Sequence, residues 1–335
     1  MRHLIIGSGP AGIAGAKAIR KRDKNAEVII TTGETDAPYM RPLLPGLISG
    51  EVDIASISDP HGEGLAGEKI EIRFGKEAKG IDAAKRSVTF SDGSHEPYDR
   101  LLIATGGMPI LPPPLLRHPG QVIPLNTLRD ALRIRERSRK SDRAVVYGPG
   151  FLAIEACRAM RTAGHEVVWF KPDLPRHGYP ITSGEFESRF MDDLRNRGVT
   201  IREGVDITKL EALEKNRVGV RGTDGETVQC AMIVAATERL PSVDFLKGSG
   251  VDCNTGVLVD DYLRTSAPDV YAAGDCAEIF DKISKKRRIN FGWRSAIKQG
   301  QLAGENMAGR DTLYMRRSED YLWLIFGPPI KDRMK

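Results

Sequence analysis

Cysteine is scarce in this chain of 335 residues. There are four, Cys157, Cys230, Cys253 and Cys276, and no two form a CxxC pair. That spacing argues against a disulfide scaffold, a zinc site or a thioredoxin-type dithiol. Long apolar runs are also missing; the best, Tyr321 to Phe326, is far too short to span a bilayer. The amino terminus does not read as a signal peptide, because its apolar stretch runs straight into a glycine motif. Charge of one sign does not dominate either. The net charge is +5 and the pI about 8.9, too mild to argue for nucleic acid. With 40% hydrophobic and 28% charged residues, the chain reads as a soluble, cytoplasmic globular protein. No membrane partner is expected, and the length allows two or three domains.

Glycine, by contrast, is abundant at 35 residues. Residues 3 to 6, HLII, predict a short strand; GSGPAG follows, and then a helix over Ala11 to Lys21. A second strand spans Val28 to Thr31, with Glu34 just beyond. In that setting Gly7 makes the turn, Gly9 lets the backbone approach a pyrophosphate, and Gly12 lets helix and strand pack closely. The unit repeats in RAVVYGPGFLAIEACRAMRTAGHEVVWFK. A strand at Ala144 to Tyr147 leads into Gly148 and Gly150, Ala153 stands at the third glycine position, and a helix and second strand follow. Two dinucleotide-type domains are therefore expected. The second strand ends in Lys171, where an NAD site wants an acidic ribose ligand. Either the ligand carries an extra phosphate, or this half no longer binds a dinucleotide. A proline-rich linker, residues 106 to 120, separates the repeats, followed by a basic, solvated helix, LRDALRIRERSRK.

The segments GSGPAG (7–12), PYMRPLL (38–44), YDRLLIATGGMP (98–109), GPGFLAIE (148–155), TSAPDVYAAGDCAEI (265–279) and QGQLAGENMAG (299–309) run in one order over about 310 residues. In this combination the chain resembles the pyridine-nucleotide:flavin oxidoreductases, the family of rubredoxin reductase, ferredoxin reductases and the flavin part of nitrite reductase. The resemblance implies an α/β fold of two doubly wound, Rossmann-like domains. An FAD domain would be built from residues 1–112 and 243–312, with a NAD(P)-type domain, 113–242, inserted between. The usual C-terminal interface domain would be reduced to a tail, 313–335.

Carried over by position, the resemblance implies that Gly7, Gly9, Pro10, Ala11 and Gly12 hold the FAD pyrophosphate and Glu34 the adenosine ribose. Arg41 would lie over the flavin and its phosphates, and Ala78 would meet the adenine through its backbone. Thr105 and Gly106 would pass beside the FAD, and Asp275 would bind the ribityl chain. The helix opened by Trp293 to Ala296 would face the flavin O2. In the inserted domain Gly148, Gly150 and Glu155 would serve the nicotinamide nucleotide, and Lys171 with Arg176 would favour NADPH.

Departures from the family pattern matter as much. No cysteine lies near residues 40–50, so a disulfide or sulfenate mechanism is not expected, and Cys276 reads as a packing residue; the chemistry would belong to the cofactor, with no catalytic side chain. Pro45 stands where many relatives have a lysine near flavin N5, and Glu238 where they have a glycine. Lys285, Lys286, Arg287 and Arg288 read as a solvated loop tip, or as a patch steering an acidic carrier. The implied function is an FAD-dependent oxidoreductase, with NADPH or NADH as possible donor and a small electron-carrier protein as acceptor. The alternative is an FAD-carrying subunit of a larger hetero-oligomer that has lost its free-nucleotide site.

Overall fold

A computed structural model of the chain describes residues 1–139, 142–173, 184–214, 217–282 and 285–315. In it the repeat of two glycine motifs extends to two whole sheets. Seven α-helices occur among the described residues: α1 (Pro10–Arg22), α2 (Leu44–Ser49), α3 (Pro113–Leu116), α4 (Leu128–Ser138), α5 (Phe151–Thr162), α6 (Gly184–Asn196) and α7 (Trp293–Met307). The chain divides into two units. The first comprises Met1–Tyr39, Asp59–Met108 and the chain from Leu240 on; the second comprises Met40–Ser58 and Pro109–Arg239.

The first unit is built on a five-stranded sheet in the order Val270–Ala272, Arg100–Ile103, Arg2–Ile6, Glu27–Thr31, Ile70–Arg73, and every pairing is parallel. Its inner strands carry continuous apolar runs because both faces are covered; Leu4, Ile5 and Ile6 are buried, as are Leu101, Leu102 and Ile103. A three-stranded antiparallel sheet, Ala78–Asp82, Ser87–Phe90 and His95–Pro97, precedes the fourth strand. The second unit repeats this plan. Its parallel sheet runs Val199–Glu203, Glu166–Lys171, Arg143–Tyr147, Met232–Ala235, Val122–Pro124. Here too an antiparallel trio, Ile207–Ala212, Val218–Gly222 and Thr227–Cys230, comes just before the fourth strand of the repeat. Both sheets therefore place their first and fourth strands side by side. That is the switch point where an open α/β sheet forms its ligand crevice.

Some local expectations change. Residues 40–58, which the sequence assigns to the first unit, cluster with the second, because α2 packs on α4 and α5 and buries Leu44, Leu47 and Ile48. The proline-rich linker is ordered as a short strand, Gly107–Pro109, followed by α3. Helix α4 starts at a capping box in which the Thr127 hydroxyl accepts from the Asp130 amide and Asp130 accepts from the Thr127 amide. Of the supposed loop tip, Lys286, Arg287 and Arg288 belong to a strand: Lys286–Ile289 pairs antiparallel with Ala277–Asp281, and its last residue, Ile289, is buried. Among the described residues no helix is long and apolar enough to cross a membrane, and no cluster of side chains is suited to a metal. Arg176 and the stretch Tyr321 to Phe326 lie outside the described residues.

Candidate functional site: two dinucleotide crevices

In the first unit the turn after strand Arg2–Ile6 runs directly beneath the segment after strand Arg100–Ile103. The Ala104 amide donates to the Ile6 carbonyl at 2.8 Å and the Gly7 amide to the Thr31 carbonyl at 2.7 Å. Gly7 has φ +114°, and a Cβ there would lie 2.2 Å from the Ala104 carbonyl oxygen. A Cβ on Gly12 would lie 1.9 Å from the Gly7 oxygen. Neither position admits a side chain. Gly9 differs: a Cβ there would meet no described atom within 4 Å, so its backbone borders open space at the start of α1. The backbone at Gly9 is thus open on the side where α1 begins, with no described side chain in the way.

Helix α7 crosses α1 through small residues. A Cβ on Gly300 would lie 2.0 Å from the Ala11 oxygen, and one on Gly304 2.3 Å from the Gly15 oxygen. That crossing brings the two helix starts to one place. Gly274, at φ +81°, lies against the Cβ atoms of Ala11 and Ala296. Asp275 follows it, and its Oδ1 accepts from the Gly292 amide, the cap of α7, at 3.1 Å. Gln299, which the sequence did not single out, is fully buried; its Oε1 accepts from the Gly274 amide at 2.9 Å and its Nε2 donates to Ser295. Trp293 is half-buried as the first residue of α7. Thus Gly7, Gly9, Pro10, Ala11, Gly12, Thr105, Gly106, Asp275 and Ala296 converge.

Glu34 and the approach to Ala78 lie beyond the end of the second strand, Glu27–Thr31. The Tyr39 hydroxyl donates to Glu34 Oε2 at 2.7 Å, and the Lys76 amide donates to the Thr32 carbonyl, which ties the approach to Ala78 beside the end of the second strand. Arg41 belongs to the second unit, where its Nη1 donates to the Asn126 carbonyl at 2.6 Å. Cys276 is wholly buried, with Sγ 3.3 Å from the carbonyls of Ile103 and Ala273. Burial pushes its thiol up, which disfavours the reactive thiolate.

The second crevice copies the first. The Ala236 amide donates to the Tyr147 carbonyl at 2.8 Å, the Gly148 amide to the Phe170 carbonyl at 3.2 Å, and a Cβ on Gly148 would lie 2.1 Å from the Ala236 oxygen. Gly150 again has no described atom within 4 Å of its built Cβ. Thr105 Oγ1 and its counterpart Thr237 Oγ1 are both buried at matching positions of the two crevices. Gly106 takes φ +65°, but Glu238, at the matching position, is not in the left-handed region, so a glutamate fits there without strain. Glu155 is held by Arg158, whose Nη2 donates at 3.3 Å while its Nη1 grips both oxygens of Glu51 at 3.0 and 3.2 Å. Burial works against the Arg158 charge, but Glu155 and Glu51 outweigh it and hold the guanidinium above its ordinary pKa. Lys171 closes the second strand and pairs with Glu187 of α6.

A family model for the pyridine nucleotide-disulphide oxidoreductases matches residues 1–300. The chain belongs to that family. This pyridine-nucleotide oxidoreductase is 30% identical over 314 residues to the NADH-dependent phenylglyoxylate dehydrogenase subunit epsilon of Aromatoleum evansii, spanning 92% of the chain and 72% of that protein. It is 28% identical over 311 residues to the NADH-rubredoxin oxidoreductase of Clostridium acetobutylicum, spanning 93% and 76%. Among solved structures, a ferredoxin reductase from Rhodopseudomonas palustris superposes with a TM-score of 0.85 at 26% identity, covering 94% of the chain and 78% of its own. These likenesses agree with the mixed α/β architecture and its parallel sheets. No cysteine precedes Cys157, so the stretch from the Gly7 turn through Arg41 offers no thiol for the disulphide in the family's name; the cysteine beside Asp275 is the buried Cys276.

Proposed function

We propose that this oxidoreductase holds FAD in the first crevice and passes electrons between a pyridine nucleotide, bound in the second, and a protein redox acceptor. The observation that carries the reading is the open backbone at Gly9, flanked by two helix starts and by Asp275. Gly7, Gly9, Pro10, Ala11 and Gly12 would cradle the pyrophosphate on the amides of α1. Glu34, already oriented by Tyr39, would accept from the adenosine ribose, and Ala78 would meet the adenine through its main chain. Thr105 and Gly106 would border the flavin, with Asp275 accepting from the ribityl hydroxyls. The start of α7, from Trp293 to Ala296, would set its positive end toward the pyrimidine side of the ring, where reduction adds negative charge. The flavin supplies hydride acceptance at N5 and one-electron release; the chain supplies position and field. In the second unit Gly148, Gly150, Glu155 and Lys171 would hold the nucleotide.

A second reading has one observation in its favour, the likeness to a protein named as a dehydrogenase subunit. In that case the electrons would come and go through neighbouring subunits, with no free nucleotide. Anaerobic titration of the purified protein decides between the two. We expect a yellow protein with releasable FAD whose absorbance is bleached by a reduced pyridine nucleotide. Bleaching by dithionite but by neither NADH nor NADPH would give the case to the subunit reading, and an apoprotein unable to take up FAD would defeat both.

A further inference from the structure

The strand Glu166–Lys171 ends in a cation where a bare ribose calls for a carboxylate, and a specific partner faces that cation. Lys171 Nζ lies 3.5 Å from Glu187 Oε1, with the two side chains only 15% and 12% exposed. Glu187 sits in the first turn of α6, three positions before Phe190. The Phe190 ring meets Phe151 edge-on, centroids 6.0 Å apart, and Phe151 opens α5 directly after Gly150. Positions i and i+3 share a helix face. One face of α6 therefore touches both the end of the strand and the start of α5, the two walls between which a dinucleotide's ribose lies in this kind of crevice.

We propose that Glu187 is a specificity-determining residue: α6 returns the carboxylate that the strand lacks, and the Lys171–Glu187 pair selects NADH over NADPH. This deepens the proposed function and rests on its reading that the second crevice holds a pyridine nucleotide. Taken alone, Lys171 argues for NADPH, since a cation rewards a 2′-phosphate. The ion pair reverses that inference. The Lys171 charge is already answered, and a 2′-phosphate would have to displace a carboxylate or lie beside it. Neither change is cheap where water screens poorly, because separating a largely buried pair leaves one charge without compensation. A ribose diol carries no charge to repel, and its hydroxyls donate to a carboxylate.

The test uses the FAD-loaded protein and two redox-inert probes, ADP-ribose and 2′-phospho-ADP-ribose, with dissociation constants read by calorimetry. The wild type should prefer ADP-ribose by about tenfold or more, the size of one charge-assisted contact. Glu187→Gln frees the cation and should shrink or invert that preference by about tenfold. Lys171→Met leaves the carboxylate alone and should widen it. General destabilisation weakens both probes alike and leaves their ratio unmoved, so either variant suffices if the other fails to fold. Tighter binding of the phosphorylated probe by the wild type, or an unmoved ratio in a folded variant, overturns the assignment and leaves the proposed function standing. If the wild type binds neither probe, both fall.

Discussion

The two crevices are near copies in backbone and opposites in detail. Each turn passes under a segment so close that a Cβ on Gly7 or Gly148 would lie 2.2 or 2.1 Å from a carbonyl oxygen. The difference begins one atom further on. In the first unit the Gly7 carbonyl points at Gly12, where a Cβ would come within 1.9 Å. In the second, the Gly148 carbonyl accepts from the buried Trp169 indole at 2.9 Å, and the corresponding helix position is Ala153. Once a side chain claims that oxygen, the helix no longer needs a glycine there. The strand ends diverge in the same way: Glu34 is oriented by a tyrosine hydroxyl, whereas Lys171 is neutralised by a carboxylate from another helix. A shared fold can thus keep its close approaches and still change the groups presented to a ligand.

The largest expected effect tests that contrast directly. Gly12→Ala drives a methyl into backbone and should cost roughly 4 kcal/mol or more. Its mirror, Ala153→Gly, should cost only about 1 kcal/mol, the ordinary helix penalty of glycine. Urea unfolding of the two variants checks this, and equal losses would mean that the two turns do not differ as described.

Next in size is a pH effect confined to the first unit. His3 lies in its central strand, fully buried, with neither ring nitrogen bonded among the described residues; the matching position of the second unit is Ala144. Burial first, then Arg100 and the amino terminus, lower the His3 pKa from 6.5 to about 4, with Asp23 and Asp99 opposing. The native state therefore holds a neutral ring while the unfolded chain takes up a proton below pH 6.5. Stability is full above that value and falls as the pH drops toward 4, by about 3 kcal/mol in all. His3→Ala should flatten the slope of the urea midpoint against pH across this window. A slope that survives the substitution would assign the acid sensitivity elsewhere.

The smallest expected effect is the most informative about ligands. Gly9 and Gly150 both border open space, but Gly9 is at φ −76° and Gly150 at φ +107°. Gly150→Ala should cost about 1–2 kcal/mol from backbone strain alone, and Gly9→Ala should stay within about 0.5 kcal/mol. Against that quiet background, FAD affinity in Gly9→Ala should fall at least about tenfold if the pyrophosphate lies on that backbone. Unchanged retention of flavin would remove Gly9 from the cradle.

What the sequence determined by itself is local. The strand–turn–helix at Gly7 and its repeat at Gly148 are legible because turn, close approach and helix start involve neighbours in the chain, and each demands a particular residue type. The apolar runs around Leu4 to Ile6 and Val167 to Phe170 announce parallel strands for the same reason. Tertiary structure alone decided which distant group each side chain meets. It joined residues 40–58 to the second unit through Leu44, Leu47 and Ile48, and it set buried Gln299 under the Gly274 turn. It brought α1 and α7 together at Gly15, Gly300 and Gly304, and it set Glu187 against Lys171. A charge or an amide takes its meaning from its partner. Partners across a crevice are chosen by how helices pack on sheets, which no run of adjacent residues encodes.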